Sequence, residues 1–235
     1  MDKETHPFLE LDKINGTTKL ILDSFPVFGI TNPDSEEKQK IRTSDGTVRF
    51  FYGSCKSSFW SLYHLHIDRS LIIPINVDKA IESLKNNSIA MLDIIKSCER
   101  KGMSALDSDL KKREYNSGMI EDFIKNGGIK ILCTSKGVME LLHEKVMFQM
   151  KDVKYLKSET SSLQVKIINE LGGEINQIKK GICRVYNLNG KHIQILSIPS
   201  PGSPQRQLKQ FGFNGDDWRV YADLYFEFSF KWLTL

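Results

Sequence analysis

Cysteine is scarce in this sequence, and no two cysteines form a C-x-x-C pair: Cys55, Cys98, Cys133 and Cys183 lie tens of residues apart. That spacing argues against zinc ribbons, thioredoxin chemistry and an Fe–S ligand run, and fits thiols kept in a reducing compartment. Long apolar runs are also missing. No stretch approaches the ~18 unbroken apolar residues of a membrane span, and Met1-Asp2-Lys3-Glu4 lacks an apolar targeting segment. A cytoplasmic, nucleoid-associated protein without membrane contact is therefore expected. Charge of one sign does not dominate, since 33 Lys+Arg stand against 29 Asp+Glu for a net +4. That balance is compatible with a polyanionic partner but falls far short of a histone-like one. Internal repeats are absent. What remains is 235 residues, 40% hydrophobic and 26% charged, enough to bury one sizeable core. One domain over residues 1–235 is expected, acting as a monomer.

Strand and helix signals alternate along the chain. Leu20-Ile21-Leu22 is a short apolar run stopped by Asp23-Ser24-Phe25-Pro26, the pattern of a strand buried on both faces. Thr31 to Thr47 is polar, holds Asn-Pro-Asp-Ser and Ser-Asp-Gly, and reads as a long loop. Phe59 to His66 reads as a helix, and Asp78 is the expected cap of another that carries Ala80, Ile81 and Leu84 on one face. Ile89 to Cys98 is expected to continue helically, ending at the turn Glu99-Arg100-Lys101-Gly102. Gly127-Gly128 precedes a second buried strand, Ile129 to Cys133, after which Thr134-Ser135 offers an N-cap for a helix through Val138, Leu141 and Leu142. Gly181 to Tyr186 and His192 to Leu196 flank Asn187-Leu188-Asn189-Gly190, a hairpin-type turn. This alternation predicts an α/β fold, a three-layer sandwich around a mostly parallel sheet. Ligands gather at the carboxyl ends of such strands, so the loops after Leu22, Cys133 and Leu196 should converge on one site.

Two of those neighbourhoods carry chemistry. Phe50-Phe51-Tyr52-Gly53-Ser54-Cys55-Lys56-Ser57-Ser58-Phe59-Trp60 brackets a small, polar, singly basic centre with aromatics. It reads either as a loop whose rings plug the core or as a stacking platform, and an aromatic face holds a nucleobase with ~1–3 kcal/mol whatever its identity. Ser200-Pro201-Gly202-Ser203-Pro204 is rigid and rich in hydroxyls, and reads either as a Pro-rich turn or as a phosphate contact. Arg206 and Lys209 follow it. His64 and His66, two apart on a helix, face different sides, which argues against a metal pair. His6 reads as structural and His192 as remote.

Together these strings resemble one family. Phe51-Tyr52-Gly53-Ser54-Cys55-Lys56-Ser57-Ser58-Phe59-Trp60 is similar to the Y-Y-G-H-x-x-N-x-F-W motif of the hypoxanthine-DNA glycosylase and mismatch-specific uracil-DNA glycosylase branch of the uracil-DNA glycosylase superfamily. Four further pieces follow the family's order. Leu20 to Pro26 resembles a strand followed by G-[ST]-x-P. Ala90 to Ser108 resembles the helix and C-x-R-x-G-S-x-D-S string. Ile131 to Val138 stands where the branch has a strand, F-N-G or F-T-S, and a helix. Leu196 to Ser203 resembles L-P-S-x-S-P-A-N. The resemblance spans about residues 6–210, leaving 211–235 as an extension. It implies a parallel four-stranded sheet in an α/β/α sandwich and hydrolysis of the N-glycosidic bond of a damaged or modified base in DNA, without metal or cofactor.

Departures from the family pattern fall on its reactive positions. Ser57 stands for the branch's catalytic Asn, Ser54 for its His, Asp23 for the Gly opening the first motif, and Ser203 for the last Asn. Asp23 could orient or deprotonate water, Asn32 echoes a G-I-N-P-G string with one residue inserted, and Ser57 could place a water. The resemblance further implies base contacts at Ser24, Phe25, Tyr52, Ser54, Phe59, Thr134 and Ser135. DNA contacts are expected at Lys56, Lys136, Ser200, Pro201, Gly202, Ser203 and Arg206. Small side chains at Ser54, Cys55 and Ser57 would widen the pocket for a bulkier base, as in defence against modified DNA. A nucleic-acid-binding module that has lost catalysis is the competing class.

Overall fold

The computed structural model describes residues 3–9, 16–32, 47–55, 57–171, 181–210 and 218–235, with backbone alone at 207 and 210. Its strands are β1 (Lys3–Thr5), β2 (Lys19–Asp23), β3 (Ile89–Asp93), β4 (Ile95–Arg100), β5 (Leu110–Tyr115), β6 (Lys130–Cys133), β7 (Val153–Tyr155), β8 (Cys183–Leu188) and β9 (Lys191–Ser197). Its helices are α1 (Phe28–Thr31), α2 (Phe59–His66), α3 (Val77–Asn86), α4 (Ser117–Lys125), α5 (Lys136–Leu142), α6 (Lys157–Glu170), α7 (Pro204–Gln210) and α8 (Trp218–Thr234). None of the helices among the described residues is long and apolar enough to cross a membrane.

The main sheet has six strands in the order β3-β2-β6-β9-β8-β7, where four were expected. β3, β2, β6 and β9 run parallel, while β8 and β7 add antiparallel pairs. The Asn-Gly turn accounts for β8, and β7 then pairs with the free edge of β8. Asn189 and Gly190 both take positive φ, 51° and 85°, as a two-residue hairpin requires, and a hairpin places its strands antiparallel. Alternate residues of the parallel strands feed two cores. Ile21, Met91, Leu132 and Leu196 pack with Phe59, Tyr63, Ile167 and Phe230 from α2, α6 and α8. Leu20, Leu22, Leu92 and Ile131 pack with Ile120, Phe123, Val138 and Leu142 from α4 and α5. Fully burying each Leu or Ile contributes about 1.5–3 kcal/mol, so helices are held on both faces.

Two local expectations are corrected. Ile89 to Cys98 is not helical: it forms β3, which joins the main sheet, and β4, which turns at Ile94 into a second, antiparallel sheet of order β1-β4-β5. A continuous apolar run does not distinguish a doubly buried strand from a buried helix, and all five residues of β3 are buried. The cap of α3 is Asn76, whose side chain accepts from the Lys79 N–H at 3.1 Å, while Asp78 lies in the first turn. Most of the loop expected over Thr31 to Thr47 lies outside the described residues. α8 buries Tyr225, Phe226 and Phe230 in the core, and the Tyr225 hydroxyl donates to the Ser197 carbonyl at the end of β9 (2.8 Å).

Candidate active site

Parallel strands put their carboxyl ends at one edge, and there the sequence supplies acids. Asp23 ends β2 and Asp93 ends β3, and they are partners in register. The Thr134 hydroxyl, just past β6, donates to Asp23 Oδ1 at 2.5 Å. His6 Nε2 meets Asp93 Oδ2 at 2.8 Å, both side chains being enclosed. The second oxygen of Asp93 is buried without a hydrogen-bond partner. Asp23 keeps partial exposure, yet burial first, then the charge of Asp93 and a smaller contribution from Asp107, push its carboxyl up to about 8 against the opposing bond from Thr134.

Tyr52 closes over these acids. Its ring stacks on Phe59, with centroids 4.2 Å apart, and its hydroxyl is buried with no partner at hydrogen-bond distance among the described residues, the Thr134 hydroxyl being a nearby polar influence. Burial and the nearby Asp23 and Asp93 raise its pKa, so it stays a neutral phenol and a potential donor. The backbone of Tyr52 is left-handed, φ 54°, a rare state for an aromatic residue that costs on the order of 1–3 kcal/mol. Gly53 enforces it. A Cβ there would lie 1.9 Å from the Val48 carbonyl oxygen, whose residue also donates its N–H to the Gly53 carbonyl at 2.7 Å.

One buried ion pair shapes the lip of this edge. Arg100 Nε bonds both carboxylate oxygens of Glu4 at 3.1 Å, while Nη2 donates to the Pro26 carbonyl and Nη1 to the Ser104 carbonyl, each at 2.6 Å. Its guanidinium lies over the Phe25 ring, 5.6 Å from the centroid. The Thr31 hydroxyl donates to Glu4 Oε2 at 2.7 Å. The loop after β2 is thus anchored to β1 and β4, two elements of the small sheet.

The structure brings Asp23, Ser24, Phe25, Tyr52, Phe59 and Thr134 together. Ser24 is buried and its carbonyl accepts from Ile95; Phe25 meets His6 edge-on, with centroids 5.9 Å apart. Other candidates serve the scaffold. Ser57 Oγ accepts from the Phe59 N–H at 3.3 Å, and Ser135 Oγ caps α5 by accepting from Val138 at 3.1 Å. The Ser54 carbonyl accepts from the Ser57 N–H, and Asn32 caps α1 and donates to Thr31 within the Glu4–Arg100 network. The Ser200 to Ser203 loop does reach the platform, because the Ser58 hydroxyl donates to the carbonyl of buried Pro201. Ser203 bonds back to Ser200, with Gly202 exposed between them and Arg206 exposed on α7. The Lys136 side chain runs past Gly181. Lys56 lies outside the described residues.

Asp93 and Glu4 carry no site expectation in the sequence, Arg100 is read there only within a turn, and His6 reads as structural; the structure pairs His6 with Asp93 and Arg100 with Glu4. One signal was available: Asp93 ends an apolar run just as Asp23 does. Among the described residues, no group of three or more His, Cys, Asp and Glu side chains is arranged to hold a metal ion. Two hollows lie elsewhere, one apolar beside Phe8, Phe50 and Met91 and one open beside Tyr115, Asn116 and Met119. Neither gathers a charged pair of the kind at the strand ends, where the chemistry is concentrated.

No protein-family model matches the chain, and no curated protein matches it. Among solved structures it is similar to the solution NMR structure of a candidate uracil DNA glycosylase from Methanosarcina acetivorans, at 19% identity and a TM-score of 0.39, over 88% of this chain and 91% of that one. The residue roles therefore rest on the geometry of the strand ends.

Proposed function

We propose that the protein is a monofunctional DNA glycosylase of the uracil-DNA glycosylase type, hydrolysing the N-glycosidic bond of a base flipped out of DNA. The observation that carries this reading is Asp23: a partly exposed carboxyl at the strand ends whose pKa is pushed up to about 8. A general base works best with a pKa near the working pH, and an ordinary Asp is too weak. In the proposed reaction the C1′–N bond breaks with its electron pair going to the base, and water oxygen bonds to C1′. Asp23 takes the water's proton. Until it takes that proton, the Asp23 carboxylate also stabilises positive charge developing on the sugar, by analogy with the oxocarbenium path of O-glycosides. The Tyr52 phenol is the natural donor to the charge leaving with the base, and its ring is the platform on which the base stacks. His6 positions Asp93.

Small side chains at Ser54, Cys55 and Ser57 favour a modified pyrimidine bulkier than uracil, and a defence role against modified DNA would follow. A single-turnover assay for abasic sites, run on oligonucleotides carrying uracil, hypoxanthine and modified cytosines, tests the reading. Cleavage of at least one substrate that is lost in Asp23→Asn supports it, and binding without cleavage of any substrate rejects it. That second outcome would leave a DNA-binding module, the reading favoured by the closure of the Tyr52 hydroxyl and one Asp93 oxygen to solvent.

A further inference from the structure

A base that leaves the duplex leaves a gap in the stack, and a side chain entering that gap holds the base out. The Ser200 to Ser203 loop offers none suited to this: Pro201 is buried and the others are small. The turn between β4 and the short 3₁₀ segment Asp107–Asp109 offers two. Met103 and Leu106 are 43% and 54% exposed, apolar, and three residues apart. Their turn is firmly held. Gly102 takes a φ of 59° to start it, the Leu106 N–H donates to Ser104 Oγ at 3.1 Å, and the Lys101 N–H donates to the Asp109 carbonyl at 2.9 Å. Arg100 ties the Ser104 carbonyl to the Pro26 carbonyl, which fastens the turn beside the loop that follows Asp23. Asp107, at the far end of the turn, is close enough to Asp23 to act on its charge. Exposed Lys101 stands next to the apolar pair.

Resting on the glycosylase reading, we infer that Met103 and Leu106 form the wedge that enters the base stack, with Lys101 meeting the adjacent phosphate. A preformed wedge keeps down the cost of ordering on binding, and apolar surface taken from water supplies the gain.

The probe is a duplex carrying a tetrahydrofuran abasic analogue with 2-aminopurine opposite it, alongside the same modified strand alone. The double variant Met103→Ala/Leu106→Ala should bind the duplex about tenfold more weakly and lose the parental rise in 2-aminopurine fluorescence. Its affinity for the single strand, which has no stack to fill, should stay parental. Leu106→Phe should keep duplex affinity. Parental duplex binding and fluorescence in the double variant overturn the wedge while leaving the glycosylase reading intact. Equal losses on duplex and single strand also overturn it, because they mark a general contact. A parental protein that binds neither DNA overturns the glycosylase reading, and the wedge with it.

Discussion

The same parallel strands end in opposite chemistry. At their amino ends β2 and β6 carry Lys19 and Lys130, partners in register, and each ammonium donates to a last-turn carbonyl of α8: Lys19 to Thr234 and Lys130 to Trp232, both at 2.7 Å. The closing carbonyls of a helix lack internal partners and carry partial negative charge, so two cations there satisfy both needs. At their carboxyl ends β2 and β3 carry Asp23 and Asp93, a pair of acids beside an unpartnered phenol and a left-handed aromatic backbone. One end completes its bonds within the chain, whereas the other keeps unfavourable terms in place, the common signature of a functional site.

The sharpest way to break this contrast is to neutralise Asp23. Asp23→Asn should lower single-turnover cleavage about 10²–10⁴-fold while leaving DNA binding intact. The same change should stabilise the protein. The unfolded chain ionises Asp23 above about pH 4 and the folded chain only near pH 8, so unfolding releases a proton between these values and stability falls as pH rises across that window. The variant's melting point should therefore exceed the parent's at pH 8 and equal it below pH 4. An unchanged cleavage rate would make the carboxyl structural.

Arg100→Met should have the next largest effect, because it strands Glu4 in a buried site; loss of one partner of such a pair costs about 3–5 kcal/mol. Thermal unfolding should show a drop on the order of 10 °C. A pH–rate profile in the parent should rise about tenfold per pH unit and level off near pH 8, since only ionised Asp23 takes a proton. Lys19→Met and Lys130→Met should each cost about 0.5–1.5 kcal/mol in denaturant unfolding and leave the cleavage rate parental. A rate change there would show that the two ends are coupled. The smallest effect is expected at Arg206→Ala and Lys136→Ala, each of which should shallow the salt dependence of DNA binding by about one unit.

Much of the frame is legible in local sequence. Leu20 to Leu22, Ile131 to Cys133, the Ser135 cap and the Asn189-Gly190 turn each carry a signal within a few residues, and each forms the element it announces. The site is legible only where its residues follow such elements, as Asp23 and Thr134 do, or belong to the aromatic string that resembles the family motif, as Tyr52 does. His6 and Asp93 are 87 positions apart in the chain, and Glu4 and Arg100 are 96 apart. No local pattern encodes such pairings; the helical reading of Ile89 to Cys98 hid Asp93, and Arg100 was read only as part of the turn after it, whereas it ends a strand. The strand β8 follows from the hairpin signal at Asn189-Gly190, although the four strands implied by the resemblance did not count it, whereas β7 has only three residues and no local signal.

The guanidinium of Arg100 has a kinetic consequence. It fastens Glu4, Pro26 and Ser104, and Glu4 in turn receives Thr31, so three stretches far apart in the chain, 3–5, 26–31 and 100–104, share one anchoring point. Such segments open as a unit, and fraying of the first strand is transmitted to the lip beside Asp23. Native-state hydrogen exchange should reveal this as one common opening event. The His6 amide, bonded to Lys96, and the Ile95 amide, bonded to Ser24, should exchange at matched opening free energies, below those of the β2 and β6 amides deep in the main sheet.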